Sequence, residues 1–322
     1  MTLQLTFACS LYDRMVPLFA GRVQPEGIDL TFLAEEDVRH TFDRMGKDQA
    51  FDLSEMSGTE LITRLDAGNS PLVAIPVFPS RVFRHSFLFV NHRAGIRTPK
   101  DLEGKRIGVP LYTMSAALWI RGVLRDDFGV DFSTVHWIQG AVDKPGGHGS
   151  PTLPPTIKVA RLEQNQSGRT MWERLVAGEV DALIAPSIPE RFGRDAEVVR
   201  LFEDYADVER DYFRRTKIFP IMHMIALRRD RFEAHPFIAR SLFDAFERSK
   251  ELAYEGIREV GALRAMLPLL PAYWEETKRI FGEDPWPYGI EANRPTLEAL
   301  VRYLHADGLI SRVLPIEDLF VS

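Results

Sequence analysis

Cysteine and long apolar runs are nearly missing from this sequence. Cys9 is the only cysteine among the 322 residues, which excludes an intrachain disulfide and a metal site built from several thiolates, and which favours a reducing compartment. No run of about eighteen consecutive apolar residues occurs, so no membrane-spanning helix is predicted. The first ten residues have neither a basic start nor an apolar run of signal length. These features predict a cytoplasmic protein without a membrane partner.

Charge of one sign is not in strong excess. Forty Lys and Arg stand against 46 Asp and Glu, a net charge of −6, and no block of like charge forms a tail or stripe. Nucleic acid is therefore not expected as a partner. Apolar residues make up 45% of the chain and charged residues 27%, which is typical of globular proteins and argues against disorder or a coiled coil. At ~150 residues per domain, the length predicts about two domains.

Several well-known catalytic and binding motifs are also missing. No GxSxG nucleophile elbow, P-loop or GxGxxG opens a helix, so hydrolase, nucleotide-binding and dinucleotide-binding functions lose their usual support. No HxxxH or HxH spacing favours a metal site.

Short apolar runs alternate with stretches of helical period along the whole chain. This alternation predicts an α/β fold with a mainly parallel sheet covered by helices. The predicted strands are 3–8, 28–33, 51–54, 72–77, 83–90, 106–109, 135–139, 182–185 and 218–227. An apolar stripe of Ala116, Ile120, Val123, Leu124 and Phe128 predicts a helix with one face in the core. The Pro- and Gly-rich stretch 145–155 predicts a loop.

Polar side chains collect where predicted strands end. Ligands of parallel α/β sheets bind at such ends, so we take these residues as candidates for a site. They are Tyr12, Asp13, Arg14, Ser54, Glu55, Arg81, Arg84, His85, Tyr112, Ser115 and Ser187. Each also has a structural explanation: Asp13 and Arg14 as a surface pair, Ser54 as a helix cap, and Arg84 as a solvated side chain.

Two histidines alternate with apolar residues in predicted strands. His85 shares a strand face with Phe83, Phe87 and Phe89, and His223 shares one with Phe219, Ile221 and Ile225. They can be core histidines with satisfied hydrogen bonds, or half-desolvated acid–base groups beside a crevice. A third interpretation is a divalent metal held by Glu55, His85 and His223.

The order of strands and the helix start near Ser115 resemble the type II periplasmic-binding-protein fold, in which mixed sheets flanked by helices form two lobes. That resemblance implies one discontinuous lobe of residues 1–85 and 222–322, a second lobe of residues 86–221, and a ligand crevice between them. The helix start offers N–H groups that suit an anion.

Longer strings resemble the 4,5-dihydroxyphthalate decarboxylase family over nearly the whole chain. They are LYDR at 11–14, LSEMS at 53–57, IPVFPSRVFRHS at 75–86, IGVP at 107–110, DALIAP at 181–186, FPIMH at 219–223 and WPYG at 286–289. The string ending near His85 is the most specific. The resemblance implies a carboxy-lyase without a cofactor, whose substrate is a small aromatic carboxylate; whether the chain forms a homo-oligomer is left open.

The implied chemistry needs a base, an acid and an anion-binding group. Arg81 or Arg84 is assigned the carboxylate that stays, because a guanidinium matches it in a bidentate manner. His85 and His223 are assigned acid and base in undecided order, with Glu55 orienting one of them or taking the phenol proton. Tyr12, Asp13, Arg14, Ser54, Tyr112, Ser115 and Ser187 are expected to contact substrate.

Two other functions compete with this one. A non-catalytic solute-binding protein of an ABC transporter is the commonest use of the fold, but it would need an export signal. An enzyme of the same scaffold acting on another ligand, such as a pyrimidine-precursor synthase, would need a cofactor or metal cluster.

Overall fold

Two β-sheets, each flanked by helices, organise the chain. The computed structural model describes residues 2–144 and 161–321, so the predicted loop at 145–155 lies outside the described residues. The strands within them are β1 Leu3–Cys9, β2 Ile28–Ala34, β3 Leu53–Ser57, β4 Leu72–Arg81, β5 Leu88–Asn91, β6 Arg106–Val109, β7 His136–Gln139, β8 Leu162–Gln164, β9 Ala182–Ile184, β10 Val198–Arg200 and β11 Ile221–Arg228. The helices are α1 Val16–Phe19, α2 Val38–Asp48, α3 Gly58–Asp66, α4 Ser115–Phe128, α5 Met171–Val176, α6 Tyr205–Thr216, α7 Arg229–Ala234, α8 Phe237–Arg258, α9 Leu270–Phe281 and α10 Arg294–Ala306. The predicted α/β class with mixed sheets is confirmed.

The chain divides into two compact units. The first holds Met1–Arg81, His223–Leu297 and Leu314–Ser322, and the second holds Val82–Met222 and Glu298–Val313. Among the described residues, no helix combines the length and the apolar character that crossing a bilayer requires.

The first unit is built on a sheet of order β2-β1-β3-β11-β4. Strand β1 runs parallel to β2 and β3, and β11 runs antiparallel to β3. Leu5, Phe7 and Cys9 alternate along β1 and are fully buried. Phe7 meets the edges of Phe32 and of Phe246 on α8, which seats this sheet face against the long helix.

The second unit is built on a sheet of order β10-β5-β9-β6-β7-β8. Strands β6 to β9 are parallel where they pair, whereas β5 pairs antiparallel with β9 and β10. Leu88 and Val90 belong to one apolar cluster and Phe89 to another, so the core covers both faces of this sheet. The helix predicted from the apolar stripe is α4.

Two expectations need correction. The stretch 83–90 is not one strand: His85–Phe87 forms a 3₁₀ turn, in which the Phe87 N–H donates to the Arg84 carbonyl, and only Leu88–Asn91 is extended. Aromatic residues stand at every second position in this stretch, which is also the side-chain period of a strand, and this pattern produced the wrong prediction.

Residues 298–313, expected in the first lobe, group with the second unit. The reason is packing on α4: the Tyr303 hydroxyl donates to Asp126 (2.7 Å), and buried Arg121 donates to Asp307 (2.8 Å). Gly122 permits the approach, because a Cβ there would lie 2.1 Å from the Tyr303 ring.

Candidate active site

Strand register places Glu55 beside His223. Glu55 on β3 lies opposite Ile225 on β11, so His223, two residues away on β11, is its diagonal neighbour on the same sheet face. In the parallel neighbour, Ala8 pairs with Ser54, which brings the end of β1 to the other side of Glu55. Three elements distant in sequence therefore meet at the carboxyl ends of β1 and β3, inside the first unit.

Four donors converge on the Glu55 carboxylate, which is 1% exposed. Oε1 accepts hydrogen bonds from the Tyr12 hydroxyl (2.6 Å) and His223 Nδ1 (2.5 Å), and Oε2 accepts from the Ser10 N–H (3.2 Å) and the Cys9 thiol (3.4 Å). An ionised carboxylate offers about four acceptor sites, so every one is used. This arrangement fixes Glu55 as an anion.

The electrostatics support the same charge state. Burial by itself raises the pKa of the Glu55 carboxyl, but the charge of His223 and the hydrogen bonds from His223, Tyr12 and Ser10 outweigh it, and the pKa is lowered. Burial and the Glu55 charge raise the pKa of the Tyr12 phenol and of the Cys9 thiol. Tyr12 and Cys9 therefore keep their protons at neutral pH and act as donors.

His223 is the partly open member of this group. Its side chain is 17% exposed, and the ring meets the edge of Phe42 from α2 at a centroid distance of 5.0 Å. Because Glu55 is an acceptor, Nδ1 carries a proton, and Nε2 makes no hydrogen bond within the described residues. Nε2 is thus available to accept a proton from a bound molecule or to donate one to it.

The guanidinium of Arg14 lies over the ring of Tyr12. It lies 4.4 Å from the Tyr12 ring centroid and 4.2 Å from that of Trp286, while Nε donates to the Pro79 carbonyl (2.8 Å). Asp13 pairs with Arg14 at 2.9 Å, but its side chain is 60% exposed. Arg14 therefore supports Tyr12, and Asp13 lies at the surface.

Arg81 is a buried cation at the end of β4. Nη1 donates to the Pro287 carbonyl (3.2 Å), and burial, partly offset by Asp284, lowers the pKa of its guanidinium to about 9. Pro287 belongs to the 286–289 string, which also ties Trp286 Nε1 to the Phe78 carbonyl and the Gly289 N–H to the Pro76 carbonyl. This segment holds Arg81 and Arg14 in place.

The second unit contains two further residues of the predicted site, Arg84 and His85. Arg84 is 8% exposed, donates to the Pro186 carbonyl (2.8 Å) and to Met222 Sδ (3.2 Å), and has no carboxylate within ion-pair distance among the described residues. Burial, partly offset by Glu209, lowers the pKa of Arg84 to about 10, so it remains charged at neutral pH.

His85 is almost completely enclosed. It is 1% exposed, lies between Phe202 and Tyr212, and has Nδ1 3.8 Å from Glu209. Neither ring nitrogen makes a hydrogen bond within the described part of the chain. His85 belongs to the second unit and is not a member of the Glu55 group.

Four residues remain that were predicted to contact substrate, and their surroundings differ. Ser54 is buried on the sheet face opposite Glu55 and donates to the Glu55 carbonyl. Tyr112 packs in the core of the second unit, with Arg121 3.8 Å from its ring centroid. Ser115 is the buried first residue of α4, and Ser187 is exposed after β9. All four residues stay predicted substrate contacts.

Metal ligation by Glu55, His85 and His223 finds no support. Residues 2–144 and 161–321 contain no group of three or more His, Cys, Asp or Glu side chains placed to hold a metal ion.

Sequence reasoning missed Phe42, Cys9 and Trp286 as parts of the site, whereas Ser10 stands in the polar cluster that follows the first predicted strand. Cys9 follows the apolar alternation of β1, and its place at the strand end was the available signal. Trp286 lies in the WPYG string at 286–289, whose only signal is its resemblance to the family, and no spacing connects Trp286 to Arg14.

Comparison with solved structures supports the fold. The periplasmic aliphatic sulphonate binding protein of Escherichia coli has 14% identity and a TM-score of 0.55, covering 100% of this chain and 93% of that one. A Candida albicans protein described as exhibiting the generic periplasmic binding protein structural fold has 12% identity and a TM-score of 0.51, covering 98% and 95%. The chain therefore has the periplasmic-binding-protein fold.

Comparison of sequences is more specific. No family model matches the chain. A 4,5-dihydroxyphthalate decarboxylase of Comamonas testosteroni is 37% identical over 321 residues, covering 99% of this chain and 96% of the relative. A protein of the same name from Pseudomonas putida is 35% identical over 213 residues, covering 66% of this chain and 82% of the relative. The chain belongs to the 4,5-dihydroxyphthalate decarboxylase family.

Proposed function

We propose that this chain is a carboxy-lyase that converts 4,5-dihydroxyphthalate to protocatechuate and CO₂. The observation that carries the proposal is the 37% identity with a 4,5-dihydroxyphthalate decarboxylase over 99% of the chain. The buried Glu55–His223 pair adds a group suited to proton transfer. Similarity in fold to a sulphonate binding protein at 14% identity does not favour the alternative of a transporter's binding protein.

The reaction replaces a carboxylate by a proton. Direct loss of CO₂ would leave an aryl carbanion, so protonation of the ring carbon comes first. Each carboxylated carbon lies para to a hydroxyl, and removal of that phenol proton moves electron density onto the carbon. The ring carbon then gains a C–H bond, the C–CO₂ bond breaks, its electron pair restores the aromatic ring, and the phenolate regains a proton. One proton is consumed for each CO₂ released.

His223 is assigned the protonation of the ring carbon. Nδ1 is committed to Glu55, so Nε2 delivers the proton from the partly exposed edge of the ring. Glu55 stabilises the imidazolium and fixes the ring orientation without giving up a proton, since its pKa is lowered. Glu55 is thus a positioning residue, supported by Tyr12, Ser10 and Cys9.

The phenol proton needs a second group, and His85 is assigned to it. Its support is energetic: a histidine buried without hydrogen bonds is costly, and functional sites are where such groups are retained.

Arg84 is assigned to bind the carboxylate that stays on the ring. A buried guanidinium that has no carboxylate within ion-pair distance among the described residues is stabilised by an incoming anion, and its fork suits a carboxylate. Arg81 is the second candidate, because its charge is also buried.

We further propose a cytoplasmic location and a small aromatic carboxylate as the partner. Support for the location is the lone thiol of Cys9, which is buried and bound to Glu55 in its reduced form.

The test is CO₂ release from purified protein supplied with 4,5-dihydroxyphthalate, its positional isomers, or phthalate without hydroxyls. Release is expected from the 4,5-isomer and not from phthalate, which has no phenol to deprotonate. A parallel sample with chelator reports on metal use. Tight binding of the substrate without any CO₂ release would overturn the proposal in favour of a binding protein.

A further inference from the structure

A pocket of about 240 Å³ lies between α8 and α9, inside the first unit and apart from the Glu55 carboxylate. Helix α9 has no buried residue, so its side chains do not close the gap against α8. The larger apolar side chains that line the pocket are Tyr254, Ile257, Leu270, Tyr273, Trp274 and Trp286. Four of these six are aromatic, and aromatic walls suit a flat ring, which they contact by stacking or edge to face.

The aromatic wall is held in place by hydrogen bonds and ring contacts. The Tyr254 hydroxyl donates to Asp284 (2.8 Å) and accepts from the Trp286 N–H (2.9 Å). The rings of Trp274 and Tyr254 have centroids 5.5 Å apart, and Trp286 Nε1 donates to the Phe78 carbonyl (2.8 Å). Side chains that are already fixed lose little conformational freedom when a ligand arrives, which favours binding.

The charged part of the wall consists of Asp13, Arg14 and Lys250. Lys250 is buried and paired with Glu247 (2.9 Å) and Asp284 (2.7 Å), neither of which lines the pocket. Arg14 is paired with Asp13 at 2.9 Å, but the Arg14 side chain is 13% exposed and that of Asp13 is 60% exposed. An ion pair with so exposed a carboxylate contributes little, so the carboxylate of a ligand can replace Asp13 on Arg14.

The volume selects a small ligand. An apolar cavity of ~150 Å³ is enough to bind benzene, whereas drug-sized molecules occupy pockets of ~300–1,000 Å³. A pocket of about 240 Å³ therefore accommodates one ring with a carboxylate and small substituents. We propose that this pocket binds a single-ring aromatic carboxylate, with the ring among the four aromatic side chains and the carboxylate on Arg14. The proposed site does not depend on the proposed reaction.

Arg14 and Trp286 connect the pocket with the candidate active site. The Arg14 guanidinium lies 4.4 Å from the Tyr12 ring centroid and 4.2 Å from that of Trp286, and the Tyr12 hydroxyl donates to Glu55. A carboxylate that draws Arg14 toward the pocket removes part of the support of the Tyr12 ring. Occupation of the pocket is therefore expected to lower kcat, a consequence that rests on the proposed function.

Tryptophan fluorescence of the purified chain titrated with benzoate tests the site. Trp274 and Trp286 line the pocket, whereas the other three of the five tryptophans, Trp119, Trp137 and Trp172, are fully buried in the second unit. A saturable change is expected with benzoate. Benzamide, which has nearly the same shape without the charge, should bind roughly tenfold more weakly, because hydrogen bonds to a charged group are stronger. Cyclohexanecarboxylate, which keeps the charge without the aromatic ring, should bind roughly two- to tenfold more weakly. No saturable change with benzoate, or equal binding of benzoate and benzamide, would overturn the proposal.

Filling the pocket locates the binding. Ala253→Phe from α8 and Thr277→Phe from α9 each place a ring in the pocket, and each should weaken benzoate binding at least tenfold with an unchanged circular dichroism spectrum. Ala272→Phe is the matched control, because Ala272 is exposed on α9 and does not line the pocket, and it should bind as wild type does. A fluorescence response that survives in both filled variants would mean that benzoate binds elsewhere, and would overturn the proposal.

Steady-state CO₂ release from 4,5-dihydroxyphthalate tests the connection to the active site. Benzoate should lower kcat of wild type and of Ala272→Phe but not of Ala253→Phe, whereas competition at the substrate site would raise KM in all three. Unchanged kcat in a wild type whose fluorescence shows a filled pocket would contradict the connection through Arg14. A chain that releases no CO₂ would contradict the proposed function instead, and the fluorescence test of the pocket would still decide the site.

Discussion

The imidazole of His223 donates its Nδ1 proton to Oε1 of Glu55 across 2.5 Å. Glu55 is 1% exposed, whereas the His223 side chain is 17% exposed. The Glu55 carboxylate is therefore buried within the sheet, and the His223 imidazole is the part of the pair that solvent can reach. This separation divides the work: Glu55 fixes the tautomer and orientation of the ring, and Nε2 of His223 exchanges protons.

His223→Gln should lower kcat by ~10²- to 10⁴-fold, the usual contribution of general acid–base catalysis. Wild-type turnover in D₂O should place one deuterium on the ring carbon that lost its carboxylate, as seen by mass spectrometry and NMR of the product. Calorimetric affinity for phthalate, which cannot react, should change little in the variant. Full kcat in His223→Gln would remove this residue from the reaction.

Tyr12→Phe removes one donor to Glu55 Oε1 and keeps the aromatic ring. A hydrogen bond to a charged acceptor contributes ~1.5–3 kcal/mol, so kcat should fall by roughly 10- to 100-fold if the bond is needed for positioning. KM should change less than kcat, because Tyr12 acts through Glu55. A variant in which only KM rises would instead mean that Tyr12 contacts the substrate.

Much of this architecture can be predicted from the sequence, because burial leaves a pattern. The apolar runs located nine of the strands, and the stripe on α4 located that helix. β8 and β10 were missed because each has three residues, of which at most one is buried, at the two edges of the second sheet, whereas the equally short β9 is fully buried. Strands this short and partly exposed leave no apolar run to detect.

The site was predictable only in part. Glu55, His223 and Tyr12 were candidates because each follows or lies in an apolar strand. Their contact depends on the pairing of β3 with β11, and 168 positions separate Glu55 from His223. Local pattern contains no information on that register. The same limit explains why the support of Arg14 by Trp286 was not foreseen.

Glu55→Gln should change how stability depends on pH. The folded-state pKa of Glu55 is lowered, so its ionisation adds stability that is present in full above the unfolded value of about 4.3 and is lost as pH falls through the folded value. The free energy of urea unfolding should therefore be higher in wild type than in Glu55→Gln at neutral pH, and the difference should shrink on acidification below about pH 4.3. All other carboxyls are shared, so the difference isolates Glu55. A constant difference across this range would mean that Glu55 is not a stabilised anion.

His85→Leu separates stability from activity. Burying a polar group without a hydrogen bond costs about 1–3 kcal/mol, so replacing the ring by an apolar side chain among Phe202 and Tyr212 should leave the melting temperature unchanged or raise it. If His85 takes the phenol proton, kcat should nevertheless fall by ~10²-fold or more. Retained kcat with raised stability would identify His85 as a core residue only, and reduced stability would contradict the energetic argument for it.

Arg84→Lys should raise KM for 4,5-dihydroxyphthalate while leaving the fold intact. Lysine keeps the positive charge but loses the planar fork, so a bidentate contact should weaken by ~1.5–3 kcal/mol, or roughly 10- to 100-fold in affinity. Because the pKa of Arg84 is lowered only to about 10, the wild-type guanidinium stays protonated between pH 6 and 8, so any growth of the KM difference with rising pH in this range would come from the buried lysine of the variant. Arg81→Lys, made in parallel, is the matched comparison, since Arg81 is also buried but donates to Pro287. A rise in KM for Arg81→Lys alone would transfer the carboxylate to Arg81, and unchanged KM in both variants would remove both arginines from substrate binding.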